Sequence, residues 1–583
     1  MRRIPTIALV LLMSFGSLAA AQEATKSSLV GHWPLAGDSQ DHSGHGNHGV
    51  NHGVDLKSGS FDGRAAHVEV APSDSLRFGT NDFSFCAWVW TADDPDDNYG
   101  DVLDLYDPAQ RRGITLGLAS SSGGYQGQGD ARQVHFGIDN ARLGQWQDCG
   151  RPSATSNYVS NSLTVYKGKL YAAIFDGKEE SDWAHVYRYE GGDRWTDCGR
   201  VGTGRTTGVG PLLVHKGDLY AVTGTYDWTR VNSGGYDPGR VYRYQGGQDW
   251  EDLGQPSDNR TNNCLVSFRG QIYSGGGPNT WGVFTRNDRG EWVASQLFPR
   301  DGAKSCFPHA MSRFNGRLYT AWPGAYSFDG TNWAFVGRTA ETPGSLQTHS
   351  LHAYQGRLLA GTWPEATVTA YDGVATWEPI GRVGVDGTEV NALVVYNGKL
   401  YGGSIPRAEV CRYDGAPEWT SLKRFYSPEG WTPVPPAPYG NPTRAEVAEW
   451  SRVTSLTVYD GKLFASTGSC TSSVLDAPPD VRGKVFSLEA GKSATFDDDL
   501  GPGWKHLAAI RRGGQLELFV DGRLAARSST FDPADYDITT DRPLRIGFGQ
   551  TDYFHGKLRD VRAYNRALSE AEVQAVKRAA APE

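Results

Sequence analysis

One short phrase recurs seven times between residues 160 and 465, and it constrains the fold more than any other feature. Each copy holds an alternating apolar run, a turn residue, a glycine, a polar residue, Leu or Ile and, in most copies, an aromatic residue. The first copy reads SLTVYKGKLY and the last reads SLTVYDGKLF. The glycines, 40 to 63 residues apart, are Gly168, Gly217, Gly270, Gly316, Gly356, Gly398 and Gly461. Most of these spacings suit a four-stranded propeller blade, so the sequence predicts a seven-bladed β-propeller.

Most copies are followed by a second alternating run and then by a tryptophan strand, as in VYRYEGGDRWTDCGR. Period-2 alternation on both sides of a glycine-containing turn predicts a hairpin, so each blade consists of two hairpins with strands A to D from the axis outward. The tryptophans at one shared blade position are interpreted as structural; they are Trp146, Trp195, Trp250, Trp292, Trp333 and Trp377.

The two ends of the repeat region complement each other. The stretch WQDCGR at 146–151 is a D strand before the first A strand, whereas the seventh repeat ends at KVFSL, 484–488, without a D strand. Pairing these ends would close the ring and remove an open sheet edge. The propeller is therefore predicted to span 142–488, with a poorly marked D strand in blade six, near Trp419 to Trp431.

The flanking segments, 28–141 and 489–583, read as two halves of one domain. The first contains GHWPLAGDSQDHSGHGNHG and DFSFCAWVW, and the second contains GWKHLAAIRRGGQLELFVDGRLA and FHGKLRDVRAYNRALSEAEV. These motifs resemble the laminin-G-like, concanavalin-A-like jelly-roll family and occur in that family's order. The resemblance implies two antiparallel sheets, a frequent structural calcium ion and frequent carbohydrate recognition. The predicted fold class is all-β: an antiparallel jelly-roll sandwich split by an inserted, kelch-like seven-bladed β-propeller.

Net charge, the first residues and the cysteine count restrict the classes of function and the location that the sequence suits. A net charge of −9 disfavours a protein that tracks nucleic-acid phosphates. Residues 1–21 carry two arginines, an apolar run and a run of alanines, which is typical of a signal peptide, and no later apolar run could span a bilayer. We therefore expect a secreted or periplasmic protein. Its seven cysteines are odd in number, so at least one thiol is expected to be free.

The D-to-A and B-to-C connections of a propeller share one face, and here they are the long, irregular loops. Reading seven residues before each repeat glycine gives a polar column at the mouth of the inner strands: Asn161, Gly210, Asn263, His309, His349, Asn391 and Thr454. Two positions further out lie Glu389 and Arg452, with Arg260 nearby. The column is interpreted either as the polar wall of a wet channel or as a functional site.

In the functional interpretation, His309 and His349 serve as a base and a substrate-orienting group, and Arg260 or Arg452 binds a carboxylate. Glu389 is one of several loop carboxylates, together with Asp227, Glu365 and Glu409, that spacing alone cannot pair. Four loop tryptophans could pack against the flat faces of sugars, although any of them could instead pack between blades: Trp228, Trp281, Trp322 and Trp363.

In the jelly roll, Asp38, Asp41 and Asp560 lie in motifs whose relatives often bind calcium, and carboxylates suit that cation. The alternative is that Asp41 only forms a turn. The leading functional hypothesis is an exported glycan-recognition protein whose jelly roll and propeller both contact a polysaccharide. The alternatives are a propeller-type polysaccharide lyase or glycoside hydrolase acting at the polar ring, and a protein-interaction scaffold.

Overall fold

A computed structural model describes residues 27–120, 127–154, 156, 158–174, 183–225, 234–340, 347–426, 451–469 and 482–582. It confirms the predicted fold class, with a seven-bladed propeller and a concanavalin-like sandwich. The predicted signal peptide, Trp228 and Cys470 lie outside the described residues. Among the described residues, no helix has the length and hydrophobicity needed to cross a membrane.

The jelly roll is built from both ends of the chain. Its first half contains β1 (Leu29–Trp33), β2 (Gly49–His52), β3 (Ser60–Asp62), β4 (His67–Val70), β5 (Phe83–Thr91), β6 (Gly100–Asp107), β7 (Arg112–Ala119), β8 (Gly127–Gln128) and β9 (Gln133–Leu143). The propeller follows with strands β10 to β37. The second half contains β38 (Ala490–Phe496), β39 (Gly503–Arg512), β40 (Gln515–Val520), β41 (Arg523–Arg527), β42 (Leu544–Ile546), β43 (His555–Tyr564) and the helix α1 (Glu570–Ala579).

The jelly-roll strands form two sheets with one apolar core between them. One sheet has the order β1-β43-β5-β39-β40-β41, with β3 beside β43, and the other has the order β2-β4-β42-β6-β7-β9-β38. In β9, Val134, Phe136 and Ile138 belong to the core. The alternate residues of a strand point to the opposite face. That face of the second sheet meets the propeller.

The first three blades of the propeller are, in the order A to D, β11 (Val159–Tyr166), β12 (Lys169–Ile174), β13 (His185–Gly191), β14 (Arg194–Arg200); β15 (Gly208–His215), β16 (Asp218–Gly224), β17 (Val241–Gly246), β18 (Asp249–Asp252); and β19 (Thr261–Phe268), β20 (Gln271–Gly277), β21 (Gly282–Arg286), β22 (Trp292–Leu297).

Blades four to six are β23 (Ala310–Phe314), β24 (Arg317–Ala321), β25 (Gly324–Phe328), β26 (Trp333–Arg338); β27 (Gln347–Tyr354), β28 (Arg357–Trp363), β29 (Thr367–Tyr371), β30 (Trp377–Arg382); and β31 (Glu389–Tyr396), β32 (Lys399–Ile405), β33 (Glu409–Gly415), β34 (Glu418–Arg424).

The seventh blade is composite. It contains β35 (Ser451–Tyr459), β36 (Lys462–Ser469), β37 (Val485–Leu488) and, as its fourth strand, β10 (Gln147–Asp148). Gln147 pairs with Ser487 and Asp148 pairs with Phe486, so the strand that precedes the first blade completes the last one. The ring is closed by this exchange, and blade six has a full D strand at β34.

The repeat phrase forms the A-to-B turn of each blade. Its glycine and the residue before it both have positive φ, as in Lys167 (47°) and Gly168 (71°). This is the type I′ turn, whose twist matches a tight two-residue hairpin, and it explains why a glycine recurs at this position.

All seven of these turns are hydrogen-bonded to the jelly roll. Most of the bonds join a backbone N–H of the turn to an oxygen of the jelly roll, and Asn397 uses its side-chain amide. The donor–acceptor pairs are Gly168 N to Asp497 O (2.9 Å), Lys216 N to Asp130 Oδ1 (3.0 Å), Arg269 N to Pro95 O (3.0 Å), Gly316 N to Asp97 Oδ2 (3.0 Å), Gln355 N to Gln550 O (3.1 Å), Asn397 Nδ2 to Ile138 O (2.9 Å) and Gly461 N to Thr495 Oγ1 (2.9 Å). The jelly roll therefore covers the turn face of the propeller.

The jelly roll also enters the propeller axis, which the sequence did not predict. The short strand β8 pairs in parallel with β19, the innermost strand of blade three. On one side, Arg313 of blade four donates from its backbone N to Gln128 Oε1 (2.8 Å) and from Nη2 to Gly129 O (2.7 Å). On the other side, Asp130 N donates to the carbonyl of Val214 in blade two (3.0 Å). The segment 127–130 therefore closes the axis from the jelly-roll side.

Buried carboxyl groups of the jelly roll lie near this interface. Asp101 is 4% exposed and accepts hydrogen bonds from Thr551 N (2.7 Å) and Asp552 N (3.0 Å). Burial raises its pKa to about 7, and burial also raises the pKa values of Asp104 and Asp552. These groups are therefore favoured in their neutral form by the folded chain.

Asp101 should make the stability of the protein depend on pH. A folded-state pKa above the unfolded value gives stability that is complete below the unfolded pKa, near 4, and is lost as pH rises through about 7. The substitution Asp101→Asn keeps the neutral shape and should reduce this loss, with an upper bound of about 4 kcal/mol since one pKa unit is about 1.4 kcal/mol. Chemical denaturation across this pH range measures the effect. The exposed control Asp498→Asn should follow the parent curve, and an unchanged slope in Asp101→Asn would contradict the assignment.

Candidate functional site on the loop face of the propeller

The predicted polar column coincides with β-bulges in the A strands. Register breaks leave Asn263, His349, Asn391 and Thr454 as extra residues opposite the neighbouring B strand. His309 lies immediately before β23 and occupies the same position in its blade. A bulge re-aims a side chain away from the regular alternation, and the A strands line the axis. Bulges are thus the local device that presents these polar groups at the mouth of the axis.

Two histidines from neighbouring blades meet at this mouth. The rings of His309 and His349 lie edge to face with centroids 4.6 Å apart. His309 is also in contact with Phe307 (5.6 Å) and with Trp322 (5.1 Å), and Trp281 packs on Phe307 at 5.5 Å. His349 is 4% exposed, whereas His309 is half-buried. The pair therefore has an aromatic wall on the side of blades three and four.

Polar contacts continue from His349 into blades six, seven and one. His349 Nδ1 lies 3.1 Å from Glu389 Oε1, and the same oxygen lies 3.3 Å from Arg452 Nη1. The Arg452 guanidinium lies over the ring of Tyr158, 5.7 Å from its centroid. On its other side, His349 Nε2 is 2.6 Å from Gln347 Oε1. The contact with Gln347 orients the ring, and the Glu389 carboxylate lies close to its Nδ1.

Burial determines the charge states in this cluster. It lowers the pKa values of His309 and His349 well below the usual range, and the charge of the neighbouring His349 adds to the effect on His309, as Arg452 does for His349. Burial also raises the pKa of Glu389, against the opposing influence of Arg452 and His309. Both imidazoles are therefore neutral at neutral pH, the form in which a histidine can accept a proton.

Two bulge asparagines contribute hydrogen-bonding groups of another kind. Asn391 is fully buried, and both its amide nitrogen and its amide oxygen are without hydrogen-bond partners among the described residues. Asn263 is 3% exposed, and its amide nitrogen is likewise without a partner in the described part of the chain. A buried polar group without a partner is unfavourable in the folded protein. Both amides therefore keep unused hydrogen-bonding capacity within the described part of the chain.

The remaining predicted site residues are distributed more widely. Arg260 is half-buried at the start of blade three, where its carbonyl accepts a hydrogen bond from Thr225 N (2.8 Å). Trp363 ends β28 and pairs in register with Gln347. Asn161 lies in β11, and only its backbone is described. Phe307 and Tyr158 are contacts of the site that their positions in the sequence did not single out.

The three jelly-roll carboxylates are occupied by protein donors. Asp41 accepts from His32 N (2.9 Å), Ser43 N (2.8 Å) and Asn47 N (2.9 Å), which is the geometry of a turn. Asp560 contacts His32 Nε2 (2.8 Å) and Arg562 Nη2 (2.9 Å). Asp38 lies 3.2 Å from His42 Nε2. Donors already bound to these oxygens compete with a cation, so the residues do not fit a calcium ion well, and calcium here stays a prediction.

Arg452 should control the protonation of His349. The substitution Arg452→Met removes a nearby positive charge, so the pKa of His349 should rise. A pH titration of the histidine ring signals by NMR, assigned with single His→Gln variants, measures the change. Arg338→Met, on the outer strand of blade four, should leave the same signal unmoved. A pKa of His349 that stays constant or falls in Arg452→Met would contradict the contact.

Comparisons with known proteins identify the jelly-roll portion. Residues 445–574 match the family model described as the concanavalin A-like lectin/glucanases superfamily, a range that begins before blade seven and covers most of the second jelly-roll half. A comparison of the sequence with proteins of curated function found no match.

Several solved structures share a similar shape at low identity. A catalytically inactive virginiamycin B lyase from Staphylococcus aureus, solved with quinupristin, is 11% identical; the match covers 59% of this chain and 99% of that one, with a TM-score of 0.41. The PQQ-bound aldose sugar dehydrogenase from Streptomyces coelicolor is 12% identical, with coverage of 60% and 99% and a TM-score of 0.32. At these scores the matches carry no argument about what this chain does.

Proposed function

We propose that this protein binds an acidic polysaccharide at the loop face of the propeller and cleaves it by β-elimination. The observation that carries the proposal is the pair of histidines in ring contact, beside Glu389 and its partner Arg452, at the end of an axis that the jelly roll closes. A carbohydrate substrate is supported by the superfamily match of residues 445–574 and by the indole rings of Trp281 and Trp322 beside the histidines.

The reaction needs a base that can act near neutral pH. In β-elimination the base removes the proton from the carbon that bears the uronate carboxylate. The bond from the adjacent carbon to the bridging oxygen then breaks, a carbon–carbon double bond forms, and the leaving oxygen takes up a proton. His309, which retains solvent exposure, is assigned as the base; the imidazolium that it becomes then returns this proton to the leaving oxygen, and His349, in contact with the His309 ring, positions it. The amides of Asn263 and Asn391 would stabilise the negative charge that develops on the carboxylate.

The charge around the site suits an anionic chain although the net charge of the protein is negative. Arg260, Arg300 and Lys304 lie in the loops beside the aromatic wall, with the Arg300 guanidinium 5.9 Å from the ring centroid of Trp281. Local positive charge at a cleft raises the rate of encounter with an anionic substrate. The predicted signal peptide supports export, and we propose a secreted or periplasmic location, where such polysaccharides are accessible.

Replacing both histidines should abolish turnover and leave the fold intact. The double variant His309→Ala, His349→Ala removes the group that takes up and returns the proton and the ring that positions it, so we expect a loss of at least about a hundredfold in rate. Ultraviolet absorbance of the unsaturated product, measured on a panel of uronic-acid polysaccharides, reports the reaction, and circular dichroism checks the fold. His185→Ala, on the outer part of blade one, is the matched control. New reducing ends without an unsaturated product would instead indicate a glycoside hydrolase.

The second candidate function is glycan recognition without turnover, which the aromatic wall favours. In that case Trp281→Ala and Trp322→Ala should each weaken binding by about 1 to 3 kcal/mol, because a buried aromatic anchor carries much of the binding energy. A glycan array followed by calorimetry measures the effect. Binding without new chain ends supports this candidate over the first, and the absence of any glycan binding contradicts both and leaves the protein-interaction scaffold.

A further inference from the structure

A regular hydrogen bond joins successive blades. In blades one to five, the D-strand tryptophan donates from its indole N–H to the residue three positions after the corresponding tryptophan of the preceding blade. The pairs are Trp195 with Cys149 O (2.9 Å), Trp250 with Cys198 O (3.0 Å), Trp292 with Leu253 O (3.0 Å), Trp333 with Ser295 Oγ (3.0 Å) and Trp377 with Val336 O (3.2 Å).

Blades six and seven break this rule, since the Trp146 indole nitrogen of blade seven also lacks a hydrogen-bond partner among the described residues. Counting three positions from Trp377 gives the carbonyl of Ile380 as the expected acceptor for Trp419, but the Trp419 indole nitrogen has no hydrogen-bond partner in the described part of the chain. The nitrogen is nevertheless shielded from solvent. Buried indole N–H groups usually have an acceptor, so this one can donate to a bound molecule.

A cavity of about 490 Å³ lies where the missing bond would be, between the outer strands of blades five and six. Pro379 on β30, Pro417 before β34 and the ring of Trp419 give it apolar walls, and Val385, 53% exposed, lies on the connecting loop. This volume is within the usual range of small-molecule sites. The cavity is separate from the histidine site, since none of the residues of that cluster lines it.

Polar groups converge on the same cavity. Glu409 is 1% exposed; its Oε1 lies 3.0 Å from Arg424 Nε, and neither carboxylate oxygen accepts a hydrogen bond of good geometry among the described residues. Arg382 donates from Nη2 to Gly387 O (2.6 Å), and its Nε has no acceptor among them. The cavity therefore offers one strong acceptor and two donors above apolar walls.

We propose that this cavity between blades five and six is a second binding site, which takes one neutral monosaccharide unit. A sugar hydroxyl can donate to Glu409 Oε2 and accept from the Trp419 indole or from Arg382 at the same time, and the C–H face of a pyranose can pack on the proline and tryptophan rings. The inference relies on the proposed carbohydrate function only for the class of ligand and not on the elimination reaction.

The charge of the lining selects a neutral ligand. Glu409 and Glu418 contribute two carboxylates to the lining; Arg382 is the one cationic side chain that lines the cavity among the described residues, and Arg424, which does not line it, pairs with Glu409. These charges balance, so no cation is left over to pair with an anionic sugar, whose negative charge would then be unfavourable beside Glu409 and Glu418. The cavity should therefore prefer neutral sugars, in contrast to the basic loops around the histidine site.

The test uses the full chain with ¹⁵N-labelled tryptophan, in the background His309→Ala, His349→Ala, so that the histidine site cannot contribute. The Trp419 indole signal, assigned by its absence in Trp419→Phe, should shift on titration with methyl glucoside, methyl galactoside or N-acetylglucosamine and much less with glucuronate. Trp419→Phe and Glu409→Gln should each weaken binding of the best sugar by about tenfold.

Trp377→Phe is the matched control, because it removes the indole N–H of the preceding blade, where the donor is already bonded to Val336 O. It should lower the melting temperature and leave sugar binding unchanged, whereas Trp419→Phe should leave the melting temperature nearly unchanged. The proposal is overturned if none of the neutral sugars moves the Trp419 signal, if glucuronate moves it more, or if Trp377→Phe weakens binding as much as Trp419→Phe does. Because the background lacks both histidines, these outcomes are independent of whether the elimination reaction occurs.

Discussion

The attachment of all seven A-to-B turns to one jelly-roll domain is the constraint on which the rest of this structure depends. Every turn directs a backbone or side-chain donor to that domain, so one face of the ring is fixed and covered. The chain crosses between the domains twice, and β8 lies inside the ring itself. Large relative motions of two domains require a small or wet interface. This interface is hydrogen-bonded at all seven turns and at β8, so the jelly-roll side of the axis is covered and a ligand that uses the axis must enter from the loop face.

The loop face is polar because the A strands are irregular where they begin. A regular strand would alternate its side chains between the two neighbouring blades, and the interior of the ring would receive few functional groups. The bulges at Asn263, His349 and Asn391 instead release one side chain per blade toward the axis. Bulges twist and weaken the local ladder, and they concentrate beside functional sites for that reason. Because the repeat places the same bulge in the A strand of several blades, one local feature produces the ring of polar side chains.

Much of this arrangement can be predicted from the amino-acid sequence because it is periodic. The glycine of each repeat phrase locates the A-to-B turns, and counting seven residues back from it finds the bulge positions, including that of His349. Glu389 and Arg452 follow from the same count. The segment 127–130, which closes the axis, was not predicted. Its contacts join Gln128 to Arg313, and these residues are distant in sequence and belong to no common repeat. Phe307 and Tyr158 were missed because aromatic residues are common in blades and nothing in their spacing marks these two.

The free-energy cost of charging buried groups explains the pairing of Glu389 and Arg452 beside the two histidines. Moving two imidazoles out of water favours their neutral forms, and a buried glutamate beside them would by itself also tend to be neutral. Arg452, positioned over Tyr158, opposes that tendency in Glu389 and at the same time discourages protonation of His349. Arg452 thus favours the charged form of Glu389 and the neutral form of His349, although burial keeps the pKa of Glu389 above its usual range. A charged Glu389 can accept from an imidazole N–H, whereas a protonated Glu389 can donate to an imidazole nitrogen, so Arg452 influences which of the two groups holds the proton.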